Sequence, residues 1–154
     1  MVIPGAGELK GLKALKDVEK IAEATRFKKF AGVTADSSML DELAAKGVRF
    51  SREDVIATAR NSDGKVVFLE TGNSKAGFRH VLNHADEFAA KGITEDDLPD
   101  FIMKALTEGK VVGYQGSGTG RPIYELTYKG KPQRVGVTVG GNGFIVGANP
   151  RSVG

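Results

Sequence analysis

Apolar residues in the first part of the chain recur at three- and four-residue steps. In "ELKGLKALKDVEKIAEATRFKKFAGV" the series Leu12, Leu15, Val18, Ile21 and Ala22 predicts an amphipathic helix whose other face is rich in Lys. "DSSMLDELAAKG" predicts a short helix capped by Ser or Asp and stopped at Gly47. "SREDVIATARN" repeats that logic, with Ser51 as N-cap and acidic residues in the first turn. After the turn signal "SDG", the β-branched and aromatic run "KVVFLETG" predicts a strand. "KAGFRHVLNHADEFAAKG" predicts a helix ending at Gly92. "TEDDLPDFIMKALTEG" predicts another, with Thr94 as cap, Pro99 in its first turn, a start near Leu98 and a stop at Gly109.

From Lys110 onward the period changes to two. "KVVGYQG", "PIYELTYKGK", "QRVGVTVGG" and "GFIVGANP" predict short strands joined by Gly turns, an antiparallel meander. The fold class is α+β: N-terminal helices followed by a small antiparallel sheet with helices packed on one face. The first sixty residues read as a separate helical layer.

The chain has 154 residues, 40% of them hydrophobic and 27% charged, enough for one packed core. No apolar run approaches the roughly 18–20 residues that cross a bilayer, so the chain reads as soluble with no membrane partner. It contains no Cys, which excludes disulfides and thiolate metal sites. A net charge of +3 suits a polyanionic partner without demanding one.

The most direct chemical question is raised by "GFRHVLNHADEF", which holds both histidines, His80 and His84. On a helical wheel they line up with Glu87 and Lys91, beside the apolar face made by Phe78, Val81, Leu82, Ala85, Phe88 and Ala89. Three readings fit: a metal pair, two surface polar residues, or a general acid and base. A zincin-like pair would need Glu where Val81 stands, and neither a third His nor a Cys exists to complete a site. Imidazole suits proton transfer near neutral pH, and Arg79 beside the pair can hold an anion.

"GYQGSGTGRP" lacks the pattern of a Walker loop and leads into a strand, so it reads either as a hairpin turn or as a Gly-rich loop carrying Arg121 to a phosphate. In the predicted sheet Tyr124, Thr127, Tyr128, Arg134 and Thr138 alternate with apolar residues. "GGNGFIVGANPRS" adds Asn142, Asn149 and Ser152 near turn glycines.

Taken together, "DGKVVFLETGN", "GFRHVLNHADEFAAKGI", "GKVVGYQGSGTGRPIYEL" and "VTVGGNGFIVGANP" resemble the C-terminal toxin domains of bacterial contact-dependent growth inhibition and related polymorphic toxin systems. More narrowly, they resemble ribonuclease domains of the barnase/EndoU/colicin/RelE type. The resemblance covers about residues 50–152, which makes 51–154 a ribonuclease-like catalytic domain and leaves residues 1–50 as an N-terminal helical segment. It implies an endoribonuclease that cuts RNA, tRNA first, with no metal or other cofactor. It also implies a cognate immunity protein as partner, as a monomer or a 1:1 heterodimer with it. The domain would be the released tip of a large secreted or cell-surface protein, acting in the cytoplasm of a target bacterium. Similar sequences carry an H-x-x-x-H pair, matched by His80 and His84. Two departures stand out: Asn83 where an Arg often precedes the second His, and Gly147 where many relatives carry Thr.

RNA carries its own nucleophile, the 2′-OH, so cleavage needs a base, an acid and cationic charge at the phosphate. The expected division gives the base role to one of His80 and His84, and the acid role to the other or to Tyr124. Arg134, with Lys75 or Arg79, stabilises the phosphorane, and Thr138 and Asn142 donate to its oxygens. Arg121, Asn149 and Ser152 complete the expected substrate-binding set. The rival expectations are a non-catalytic RNA-binding or interaction module and a metal-dependent DNase.

Overall fold

The computed structural model describes residues 30–116 and 120–153. The helix expected around Leu12–Ala22 and the tip of the Gly-rich loop at 117–119 lie outside the described residues. The described chain is α+β, with a two-stranded and a four-stranded antiparallel sheet.

Helix α1, Ser37–Ala45, forms as its sequence predicts: Asp36 is the N-cap, and its carboxylate accepts from Met39 N at 3.0 Å. The next segment differs from expectation. Ser51 caps nothing, and "SREDVIATARN" forms a single 3₁₀ turn, Arg52–Asp54, followed by strand β1, Val55–Arg60. β1 pairs with β2, Val66–Glu70, across the Asn61–Gly64 turn. The reason is two-sided burial. Val55, Ile56, Ala57 and Thr58 are all buried, as are Val66, Val67, Phe68 and Leu69, so neither strand alternates. One side of the hairpin meets Leu40 and Leu43 of α1, with Phe50 and Phe144; the other joins the main core.

The expected single helix over 77–91 is three pieces: α2, Phe78–Val81; a 3₁₀ turn, Leu82–His84; and α3, Ala85–Ala90. Its end near Gly92 and the start of α4, Leu98–Glu108, agree with the sequence, as does Pro99 in the first turn. Thr94 caps the turn ahead of α4, where its hydroxyl accepts from Asp97 N at 3.2 Å.

The meander follows as predicted: β3 Lys110–Tyr114, β4 Pro122–Tyr128, β5 Lys131–Val139 and β6 Ile145–Arg151, in spatial order β3-β4-β5-β6. Leu126, Tyr128, Val135, Val137, Ile145 and Ala148 face the helices and pack with Phe78, Val81, Phe88, Phe101, Ile102 and Leu106. Residues 30–50 belong to the same body: Phe30 lies edge-on to Phe78, ring centroids 5.4 Å apart, and Thr34 O accepts from Thr58 N. The other face of the sheet is not covered by these helices. Its rows, read across strands, are Ile123–Gly136–Asn149, Glu125–Arg134–Arg151 and, at the far end, Thr138–Gly147.

Candidate active site

The segment leading into α2 fixes the first functional group. Gly72 and Gly77 approach so closely that a Cβ on Gly72 would stand 2.0 Å from Ala76 O, and both have positive φ, which glycine adopts without strain. Gly77 N donates to Val146 O and Arg79 N to Thr71 O, both at 2.9 Å, so α2 is tied to β6 and to the end of β2. This docking turns His80 over the edge of the sheet onto Gly147 of β6. A Cβ on Gly147 would lie 2.6 Å from His80 Cδ2 and 3.2 Å from His80 Nε2.

The ring is oriented from its other side. His80 Nδ1 stands 2.8 Å from Ser74 O. A carbonyl only accepts, so Nδ1 carries the proton and Nε2 of the neutral ring is left as the acceptor. Asn83 donates to the same carbonyl at 3.3 Å; its 3.4 Å approach to His80 Nδ1 sets two donors side by side and is not a hydrogen bond.

The second group is Arg121, at the entry to β4. Its Nε donates to Thr138 Oγ1 at 2.7 Å and its Nη1 to Asn149 Oδ1 at 2.8 Å. Its stem lies over Gly136, where a Cβ would meet Arg121 Cδ at 3.0 Å and Gln115 Oε1 at 2.2 Å. Nη2 is 3.3 Å from the same virtual Gly147 Cβ that His80 approaches. His80 Nε2 and Arg121 Nη2 are therefore no more than about 6.5 Å apart, the sum of those two distances. Burial lowers the guanidinium's pKa from its ordinary value, and the group stays cationic.

Of the residues expected from sequence, His80, Arg121, Thr138 and Asn149 are thus brought together. Arg134 shares the open face but lies four residues from Thr138 along β5, about 13 Å. Its Nε donates to Glu125 at 2.9 Å. Ser152 lies beside it, at the end of β6. His84 is not in the group. The 3₁₀ turn advances each residue by more than an α-helix does, so His84 does not stack one turn above His80. Instead its Nδ1 pairs with Glu87 at 2.6 Å.

Tyr124 packs against the core on the helix side of β4, and burial raises its hydroxyl pKa, with Tyr114 and Asp63 adding to the shift. Lys75 is exposed in the turn capped by the Asn73 side chain, and Arg79 sits half-buried beside His80 in α2. Asn142 closes the β5–β6 turn by accepting from Phe144 N. It lines a separate cleft of about 670 Å³ with Lys46, Arg49 and Lys65.

Sequence reasoning missed Ser74, Asn83, Gln115, Gly147 as a seat for the imidazole, and Arg151. The period-two pattern that groups Arg134 with Thr138 also groups Gly147, Asn149 and Arg151 on β6; that signal was present. Among the described residues no three His, Asp or Glu side chains cluster as a metal site would need. The chain matches no protein-family model and no curated protein sequence.

Proposed function

We propose that this chain is a metal-independent endoribonuclease whose centre is His80 and Arg121. The observation that carries the reading is the fixed tautomer of His80: Nδ1–H is committed to Ser74 O, and the accepting Nε2 lies no more than about 6.5 Å from Nη2 of an anchored, half-buried guanidinium. A base and a cation at that separation fit the two sides of a ribose 2′-OH attacking its own phosphodiester. His80 Nε2 takes the 2′-OH proton as the oxygen bonds to phosphorus. Arg121 Nη2 donates to the equatorial oxygen on which charge grows. The bond to the 5′-oxygen breaks, and that oxygen takes a proton from solvent, since Tyr124 packs on the helix side of β4 and His84 is paired with Glu87. The products are a 2′,3′-cyclic phosphate and a 5′-hydroxyl.

The likeness of residues 50–152 to growth-inhibition toxin ribonucleases supports the narrower reading. In it the substrate is tRNA, the partner is a cognate immunity protein, and the site of action is the cytoplasm of a target bacterium.

The test is incubation of the purified chain with total tRNA, with and without EDTA, followed by mapping of the cut ends. His80→Ala lowers cleavage by about 10²–10⁴, the usual worth of a positioned acid–base group, while His84→Ala stays within a few-fold of the parent. Equal rates for His80→Ala and the parent, at unchanged folding, overturn the reading. Cleavage abolished by EDTA, with plasmid DNA degraded, transfers it to a metal-dependent DNase.

A further inference from the structure

Beyond the reacting centre, the open face holds an arrangement that works against stability. Arg134 of β5 and Arg151 of β6 are directly opposed in register, on the same side of the sheet. Like charges in such a pair repel and destabilise the ladder. Glu125, opposite Arg134 on β4, relieves half of this through its 2.9 Å ion pair. Arg151 is exposed and has no ion-pair partner among the described residues. Arg134, Arg151 and Ser152 line a cleft of about 330 Å³ together with Val112, Ile123 and Pro150.

We propose that this cleft is a second phosphate subsite, with Arg151 as its main contact, and that the substrate is a single strand laid along the sheet face. The inference rests on the reading of the His80 centre as RNA-cleaving and extends it to neighbouring nucleotides. Thr138 and Asn149 hold Arg121, while Glu125 holds Arg134 about 13 Å away along β5, so the guanidinium groups are directed to different partners. The second cation therefore takes a phosphate elsewhere on the strand. Val112 and Ile123 at the cleft give an unstacked base two apolar side chains to lie against. A paired helix would hide its bases from those side chains, so the geometry favours a loop or an open end over a duplex.

The test uses the parent chain and a short 2′-O-methyl RNA single strand, which lacks the nucleophile and stays intact. Binding is followed by fluorescence anisotropy over a range of salt concentrations. Arg151→Gln reduces the slope of log K against log salt by about 0.7, the value of one single-strand phosphate contact, and weakens binding several-fold at low salt. Arg151→Lys, which keeps the charge on an exposed position, restores the slope. A slope unchanged in Arg151→Gln, with the parent still binding, overturns the second subsite and leaves the His80 reading standing. If the parent neither binds this strand nor cleaves the unmodified RNA, the reading of the His80 centre falls and the subsite with it.

Discussion

His80 and Arg121 meet over Gly147, and the absence of a side chain there is what lets them meet. The virtual Cβ of Gly147 lies 2.6 Å from the His80 ring and 3.3 Å from Arg121 Nη2. Gly147 borders the register shift between β5 and β6 but has no positive φ, so Gly147→Ala asks for no left-handed backbone. The methyl group displaces the imidazole instead, since a ring on a rotatable side chain yields before the sheet does. The variant keeps its melting temperature to within a few degrees and loses at least about tenfold in RNA cleavage, because a small misplacement of the base costs rate steeply. Full activity in Gly147→Ala would show that the ring does not work from this seat.

Arg121 is held by two acceptors, and that grip is as important as its charge. Thr138→Val removes the acceptor for Nε while keeping the shape of the side chain. A hydrogen bond to a charged group is worth about 1.5–3 kcal/mol, so the expected loss in kcat/KM is about ten- to a hundredfold. Arg121→Lys keeps the charge but satisfies neither Thr138 nor Asn149 in the fork geometry, and it loses at least as much. Steady-state cleavage of a defined oligonucleotide decides this; a Lys variant as fast as the parent would mean that charge alone suffices.

The meander was legible because each of its strands has one face on the helices and one facing away. Val135 and Val137 alternate with Arg134, Gly136 and Thr138, and period two appears directly in the letters. β1 was not legible for the opposite reason. Burial of Val55 through Thr58 on both sides erases alternation, and Glu53 and Asp54 ahead of it imitate the first turn of a helix. The break at Leu82–His84 is likewise unmarked, since every residue from Phe78 to Ala90 tolerates a helix. It accompanies two separate anchorages, α2 on β6 and Phe88 against Phe101 of α4, ring centroids 6.1 Å apart. His84 was lost to the site through that break. Arg121 was visible only as a cation in a Gly-rich loop, and its partners Thr138 and Asn149 come from strands that the sequence separates by 17 and 28 residues.

The core holds one polar contact whose removal reads out in stability. Tyr128 OH donates to Asp100 Oδ2 at 2.9 Å, between β4 and the first turn of α4, and Lys104 reaches the same oxygen at 3.3 Å. Burial and the neighbouring carboxylate both raise the phenol's pKa, so it remains a donor throughout the neutral range. Tyr128→Phe preserves the ring packing on Phe101, 5.0 Å between centroids, but withdraws the donor from a largely buried carboxylate. Urea unfolding shows a loss of about 1–3 kcal/mol. A variant as stable as the parent would mean that Lys104 satisfies Asp100 alone.

The acid limb of stability has an identifiable contributor at the other end of the molecule. Glu42 of α1 accepts from Arg60 Nη2 at 2.8 Å and Nη1 at 3.2 Å, and from Lys46 Nζ at 3.2 Å, which ties the helix to β1. These hydrogen bonds, Arg60 first, lower its pKa from 4.5 to about 2. A carboxylate held low in the folded state favours folding fully above its unfolded pKa, near 4.5. That contribution is lost as pH falls toward about 2. Glu42→Gln is therefore less stable than the parent at neutral pH, and the gap between the two closes across the interval from about 4.5 down to about 2. Because the group is exposed, added salt narrows the gap at neutral pH as well. Unfolding free energies measured for both chains at several pH values test the sign: a gap that widens on acidification would place the lowered carboxylate elsewhere.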